Sequence, residues 1–170
     1  MEVKTSRTGI VFYSRSGHSK RLAERLREVL DGELQEIQAP AYSRPIWGFA
    51  RAGFDSLRQR DMPGSHPLPE VAGYDRLILC GPVWTSYPAT PLRTYLRAGL
   101  PLPQTVGLFL TSADHSPAQK AFDVAEKDLG RSFTAVQSLS NADEGTGKED
   151  DAIAAFVSDL ERAELMAQSN

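Results

Sequence analysis

Three short runs constrain the fold most. Gly9-Ile10-Val11-Phe12-Tyr13, Arg76-Leu77-Ile78-Leu79-Cys80-Gly81 and Val106-Gly107-Leu108-Phe109-Leu110 are apolar almost without interruption. A strand with one solvated face alternates polar and apolar residues, whereas a strand covered on both faces does not. Between and after these runs, apolar residues recur at helical spacing: Leu22, Ala23, Leu26, Val29 and Leu30; Ala118, Ala121, Phe122, Ala125 and Leu129; and Ile153, Phe156, Val157 and Leu160. A further helix opens at Thr90-Pro91-Leu92, with Thr90 expected as its N-cap and Pro91 at the first helical position. Residues 33–37 read as an edge strand and 133–136 as a last strand. Five strands alternating with helices predict an α/β chain, a parallel sheet covered by helices on both faces.

In such a sheet ligands bind beyond the carboxyl ends of the strands. The segment after the first strand is Ser14-Arg15-Ser16-Gly17-His18-Ser19, which leads straight into a helix. The N-H groups of a helix's first turn lack intrahelical partners and favour an anion. Ser14, Ser16 and Ser19 can add hydroxyls, Gly17 lets backbone approach closely, and the stretch holds no carboxylate to repel a phosphate. The plainer reading makes Ser16 or Ser19 an N-cap and Gly17 a turn glycine. Two neighbours favour the anion reading, because they emerge at the same edge. One is Pro82-Val83-Trp84-Thr85-Ser86-Tyr87-Pro88-Ala89, read as a stiff aromatic loop. The other is Thr111-Ser112-Ala113-Asp114-His115-Ser116.

The stretch 39–69 is rich in Pro, Arg and aromatic residues and is long for a connection in a compact domain. Ile46, Ala50, Phe54 and Leu57 share one helical face, which predicts a helix packed on the sheet. The alternative is a lid or a homodimer contact that brings Tyr42 or Trp47 over a ligand.

Several classes are excluded by what the sequence lacks. Single Cys80 forms no internal disulfide and no Cys-based metal cluster, and it reads as a buried residue rather than a nucleophile. No apolar run reaches bilayer-spanning length, and the first seven residues are too short and polar for a signal peptide, so the expected location is the cytoplasm. The net charge of −3 combines +4 over residues 1–60 with −7 over the rest, without the basic aromatic stripe that would point to nucleic acid. No Gly-Lys-Ser/Thr follows the first strand, as a nucleotide triphosphatase would need, and Gly145-Thr146-Gly147 lacks the third glycine of a dinucleotide fingerprint. A response regulator would need acids where Tyr13-Ser14 and Cys80-Gly81 stand, and a low-molecular-weight phosphatase would need Arg at the position of Ser86. His18, His66 and His115 have no partners at metal-ligand spacing.

With these motifs in order, the chain resembles the flavodoxin-like FMN-binding family over nearly its whole length. Ser14, Ser16, Gly17 and Ser19 match that family's phosphate loop. Gly81-Pro82-Val83-Trp84 is similar to its Gly-x-Pro-Val-Trp segment, apart from one residue of spacing. The resemblance implies a single three-layer domain over 1–170 with strand order 2-1-3-4-5 and an insertion at about 39–69. It implies FMN held by Ser14, Arg15, Ser16, Gly17, His18 and Ser19, with Pro82, Val83, Trp84, Thr85, Ser86 and Tyr87 lining the ring. Thr111, Ser112, Ala113, Asp114 and His115 would cover its other side, in bulkier form than the family's usual glycines. The implied activity is NAD(P)H-dependent reduction of a quinone-like or other small acceptor, with His115 as a proton donor or an idle surface residue. A one-electron carrier serving a redox protein and an FMN-free binding module are the alternatives.

Overall fold

A computed structural model describes residues 6–64, 66–114 and 118–169. In chain order the elements are β1 (Thr8–Phe12), α1 (His18–Leu30), β2 (Glu33–Glu36), a 3-10 turn (Pro40–Tyr42), α2 (Trp47–Leu57), β3 (Arg76–Trp84) and β4 (Tyr87–Pro88). They continue with α3 (Thr90–Arg97), β5 (Thr105–Ser112), α4 (Gln119–Leu129), β6 (Ala135–Ser140), a second 3-10 turn (Asn141–Asp143) and α5 (Gly147–Gln168). The sheet runs β2-β1-β3-β5-β6, and every pairing along it is parallel. This is the expected order of five strands. The sixth, β4, is a two-residue antiparallel partner of β3 that the sequence did not reveal.

The alternation of side chains explains why the central runs are apolar throughout. Ile10, Phe12, Ile78, Cys80 and Phe109 pack on one face against Leu22 and Leu26 of α1 and Phe156 and Leu160 of α5. Val11, Leu77, Leu79, Leu108 and Leu110 pack on the other, against Leu92 and Tyr95 of α3 and Ala121 and Ala125 of α4. At the centre, a Cβ on Gly107 would lie 2.6 Å from Cζ of Phe156, so glycine lets that ring sit directly on the strand.

Four local expectations are corrected. The segment 82–89 is a hairpin rather than a loop, because Val83 and Trp84 pair with Pro88 and Tyr87. The last strand begins at Ala135 and extends to Ser140, since β5 offers partners as far as Ser112. Ala89, not Thr90, caps α3, and the Thr90 hydroxyl is buried without a hydrogen-bond partner.

The fourth correction concerns α2. Its apolar stripe faces solvent: Ile46 and Trp47 are each 80% exposed, Leu57 65% and Phe54 48%. Facing inward are Gly48, Ala52, Asp55 and Ser56, small or polar residues that sequence periodicity assigns to the outside. Polar contacts and close approach orient the helix. Asp55 accepts a 2.9 Å hydrogen bond from the Tyr42 hydroxyl, Ser56 Oγ donates to the Trp84 carbonyl at 2.9 Å, and a Cβ on Gly48 would lie 2.6 Å from the Tyr42 carbonyl oxygen.

Candidate functional site

The site begins where β1 ends. Gly17 has φ +99° and stands as the N-cap of α1, in a conformation that side chains strain to adopt. Its N-H donates to Ser14 Oγ at 3.1 Å, which closes the turn. The first intrahelical bond runs from Arg21 N to Gly17 O at 2.9 Å, so the amides of His18, Ser19 and Lys20 precede the helical ladder. Ser19 turns inward, and its hydroxyl lies 2.7 Å from that of Thr111, tying this loop to the end of β5. Arg15 reaches the other way: its guanidinium donates to the carbonyls of Tyr42 and Pro45 and lies 5.2 Å from the centroid of the Phe49 ring.

One stripe of α1 also fixes the segment after β6. His18 Nδ1 is 2.7 Å from Glu144 Oε1, Arg21 Nη2 donates to Glu149 Oε2 at 2.8 Å, and Arg25 Nη2 donates to Asp150 Oδ1 at 2.9 Å. Glu149 is 2% exposed, and Arg21 together with the Gly145 amide holds its carboxyl below the usual carboxylate range. The ladder anchors the chain that carries Asn141, whose side-chain oxygen is buried and has no hydrogen-bond partner. Sequence reasoning missed it. The available signal was the spacing of His18, Arg21 and Arg25 on one helix face, followed by acids at the start of the last helix.

The third contribution is the β3–β4 hairpin. Thr85 and Ser86 form its tip with φ of +50° and +68°, a region that non-glycine residues seldom adopt. For a β-branched residue such as Thr85 the conformation is strained, and strain of this kind concentrates at functional sites. Ser56 of α2 holds the tip through its 2.7 Å contact with the Thr85 hydroxyl. Trp84 meets Tyr13 and Tyr42 edge-on, with centroids 5.5 and 5.4 Å apart. Burial pushes the Tyr13 hydroxyl up to about 12.

These segments enclose a cavity of about 340 Å³ at the crevice between the β1 and β3 ends, within the size range of small-molecule sites. Arg15, Ser16 and His18 line one side; Pro82, Val83, Trp84 and Thr85 another; Thr111, Ser112, Ala113 and Asn141 a third; and Phe49, Ala52 and Gly53 of α2 the fourth. Ser14 lines an adjoining cavity of about 350 Å³ that shares Arg15 and Ser16 and extends to Glu36, Gln38 and Ser43. Gly17, Ser19, Ser86, Tyr87 and Asp114 do not line the main cavity. Tyr87 instead packs under Lys120 and Arg93, and Ser112 Oγ donates to the Asp114 carbonyl. His115 lies outside the described residues. Of the insertion, neither Tyr42, which is buried in the core, nor Trp47 reaches the cavity, and Phe49 does. Cys80 is fully buried, and burial pushes its thiol up, which leaves it inert as a nucleophile. Among the described residues no group of His, Cys, Asp and Glu could hold a metal ion.

No protein-family model matches the chain, and no curated protein does. Solved structures do. A flavoprotein from Lactobacillus acidophilus, determined in complex with FMN, superposes with a TM-score of 0.63 at 24% identity, over 85% of this chain and 99% of that one. The fold is flavodoxin-like. A WrbA-like flavodoxin from Agrobacterium tumefaciens matches with a TM-score of 0.62 at 15% identity, over 94% and 98% of the two chains. An NADH:FMN oxidoreductase in its apo form matches with a TM-score of 0.56 at 16% identity, over 95% and 90%. In the flavodoxin-like fold the three strand-end segments described above converge at one edge of the sheet, where the strand order reverses between β1 and β3.

Proposed function

We propose that the chain is an FMN-binding flavoprotein that reduces a quinone-like or other small acceptor at the expense of NAD(P)H. The observation that carries this reading is the convergence of three strand-end segments on one aromatic-walled cavity beside the free amides of a helix N-terminus. The residues present fit the group. An anion at Ser16 and Gly17 would meet the amides of His18, Ser19 and Lys20, worth about 0.3–1 kcal/mol from the helix end and up to ~2 when partly buried. Arg15 also lines the cavity, with its guanidinium held on the Tyr42 and Pro45 carbonyls, and the buried Asn141 oxygen offers an acceptor to a ring N-H.

Bound FMN supplies the hydride chemistry, and the protein supplies position and electrostatics. Pro82, Val83, Trp84 and Phe49 supply the cavity's larger apolar side chains, against which the ring would pack. Tyr13 and Tyr42 hold the Trp84 indole in place. The strained Thr85 backbone, fixed by Ser56, fixes how the hairpin presents its tip to the cavity.

Absorption of the purified protein before and after denaturation, with the released chromophore weighed, tests the cofactor. Flavin at close to one per chain, or stoichiometric uptake of added FMN, supports it. A colourless protein that takes up no FMN refutes it in favour of a binding module. Stopped-flow mixing of the loaded protein with NADPH tests the reaction. Rapid direct bleaching fits a reductase, and its absence with both nicotinamides returns the reading to a one-electron carrier.

A further inference from the structure

The outward face of α2 is an extended surface that the fold leaves unexplained. Trp47, Phe54, Leu57 and the preceding Ile46 stand exposed along it, and Phe49, 67% exposed, joins it to the cavity wall. Arg44, Arg51, Arg58 and Arg60 are interspersed, all exposed. The guanidinium groups of Arg58 and Arg60 lie 5.3 and 5.2 Å from the centroid of the Phe54 ring. Of the carboxylates beside this face, Asp55 is 4% exposed, bonded to Tyr42 and 3.5 Å from Arg51 Nε, and Asp61, which follows Arg60 and is exposed, pairs with Arg97 at 3.0 Å. Among the described residues, Arg44, Arg58 and Arg60 have no carboxylate in ion-pair range.

Large apolar side chains exposed together on one helix face mark an interaction surface, and the charge among them selects the partner. In a twofold dimer the same patch meets itself, so four arginines would confront four arginines, and the two acids at hand, Asp55 and Asp61, are already paired within the chain, an arrangement that repels. An anionic surface is complementary. Indole and phenyl rings beside arginines on an exposed helix are the composition that rests in the headgroup layer of a bilayer.

We propose that α2 docks this protein on an anionic lipid bilayer, Trp47, Phe54 and Leu57 entering the headgroup boundary and Arg44, Arg51, Arg58 and Arg60 meeting lipid phosphates. Among the described residues no helix is long and apolar enough to cross a membrane, and contact is peripheral. Because Phe49 and Gly53 of the same helix wall the cavity, docking brings that cavity to the phase in which an apolar acceptor dissolves. This consequence rests on reading the cavity as an acceptor site; vesicle binding does not.

The test is co-sedimentation of the full chain, with and without added FMN, with vesicles of pure phosphatidylcholine and of phosphatidylcholine with 30% phosphatidylglycerol. Preferential binding to the anionic vesicles, weakened by salt, is expected. Replacing two arginines (R51Q with R58Q) should weaken partitioning about 30-fold, taking ~1 kcal/mol for each basic residue at the surface. W47A with F54A should abolish it; both side chains are exposed, and an unchanged Tm verifies that the variant folds. No vesicle binding overturns the proposal, as does equal binding to neutral vesicles. A wild-type dimer in sedimentation velocity that W47A with F54A renders monomeric, without vesicle binding, overturns it in favour of a second copy of this chain. Loss of FMN uptake with vesicle binding intact would refute the cofactor reading alone.

Discussion

Two glycines on α2 provide a test of how that helix is oriented. Gly53 lies in the interior of the helix, where alanine is favoured over glycine by about 0.8–1.0 kcal/mol, and Gly48, five residues earlier, lies in its first turn. A Cβ at Gly53 meets nothing within 4 Å, because that position opens onto the cavity. A Cβ at Gly48 would lie 2.6 Å from the Tyr42 carbonyl oxygen and 2.8 Å from its carbon, both backbone atoms that cannot rotate away. Gly53→Ala should therefore stabilise by close to 0.8–1.0 kcal/mol, which raises Tm by about 2–4 °C in a chain of this size. Gly48→Ala adds an overlap that costs about 1–3 kcal/mol, and in the first turn of the helix it gains less of the propensity benefit. Its Tm should fall by about 2–4 °C or more. Thermal unfolding followed by circular dichroism measures both, and shifts of the same sign would refute the inward placement of Gly48. A third variant links orientation to function. Gly53→Leu keeps the helix but directs an isobutyl group into the cavity, so the Kd for FMN, read by flavin fluorescence quenching, should rise at least about tenfold, or 1.4 kcal/mol. Binding as tight as wild type would place the flavin elsewhere.

Gly17→Asp sets a carboxylate against the amides of α1 at a φ that costs a side chain about 1–2 kcal/mol; FMN titration should show no uptake while circular dichroism shows the fold retained. At Ser86, where φ is +68°, Ser86→Gly removes strain and should raise Tm by about 2–4 °C, read by calorimetry, since the relief is worth roughly 1 kcal/mol. The Glu149 carboxyl is lowered from 4.5 by the Arg21 hydrogen bond first, so its contribution is present above that value and disappears as pH falls through the folded-state value. Glu149→Gln should accordingly lower Tm at pH 7 and flatten the loss of Tm between pH 5 and pH 3; an acid limb as steep as wild type would refute the role of that pair.

The sequence by itself determined the three central strands of the sheet. Where β1, β3 and β5 are buried on both faces, period-2 alternation vanishes and a continuous apolar run remains, so strand positions and parallel class follow from composition alone. Ser14 to Ser19 was legible because turn geometry and helix start are local properties. The two-residue β4 was not, since its pairing depends on Thr85 and Ser86 accepting a left-handed conformation that local propensity opposes. Tertiary structure alone decided which way α2 faces. Periodicity reports that Ile46, Ala50, Phe54 and Leu57 share a side, but not whether protein or solvent lies there. The choice was made by three contacts remote in sequence: the close approach of Gly48 to Tyr42, the Asp55 bond to the Tyr42 hydroxyl, and the Ser56 bonds to the hairpin. Those contacts turned Phe49 and Gly53 into cavity wall and left Trp47 outside, because a buried polar group without a partner costs more than an exposed aromatic one.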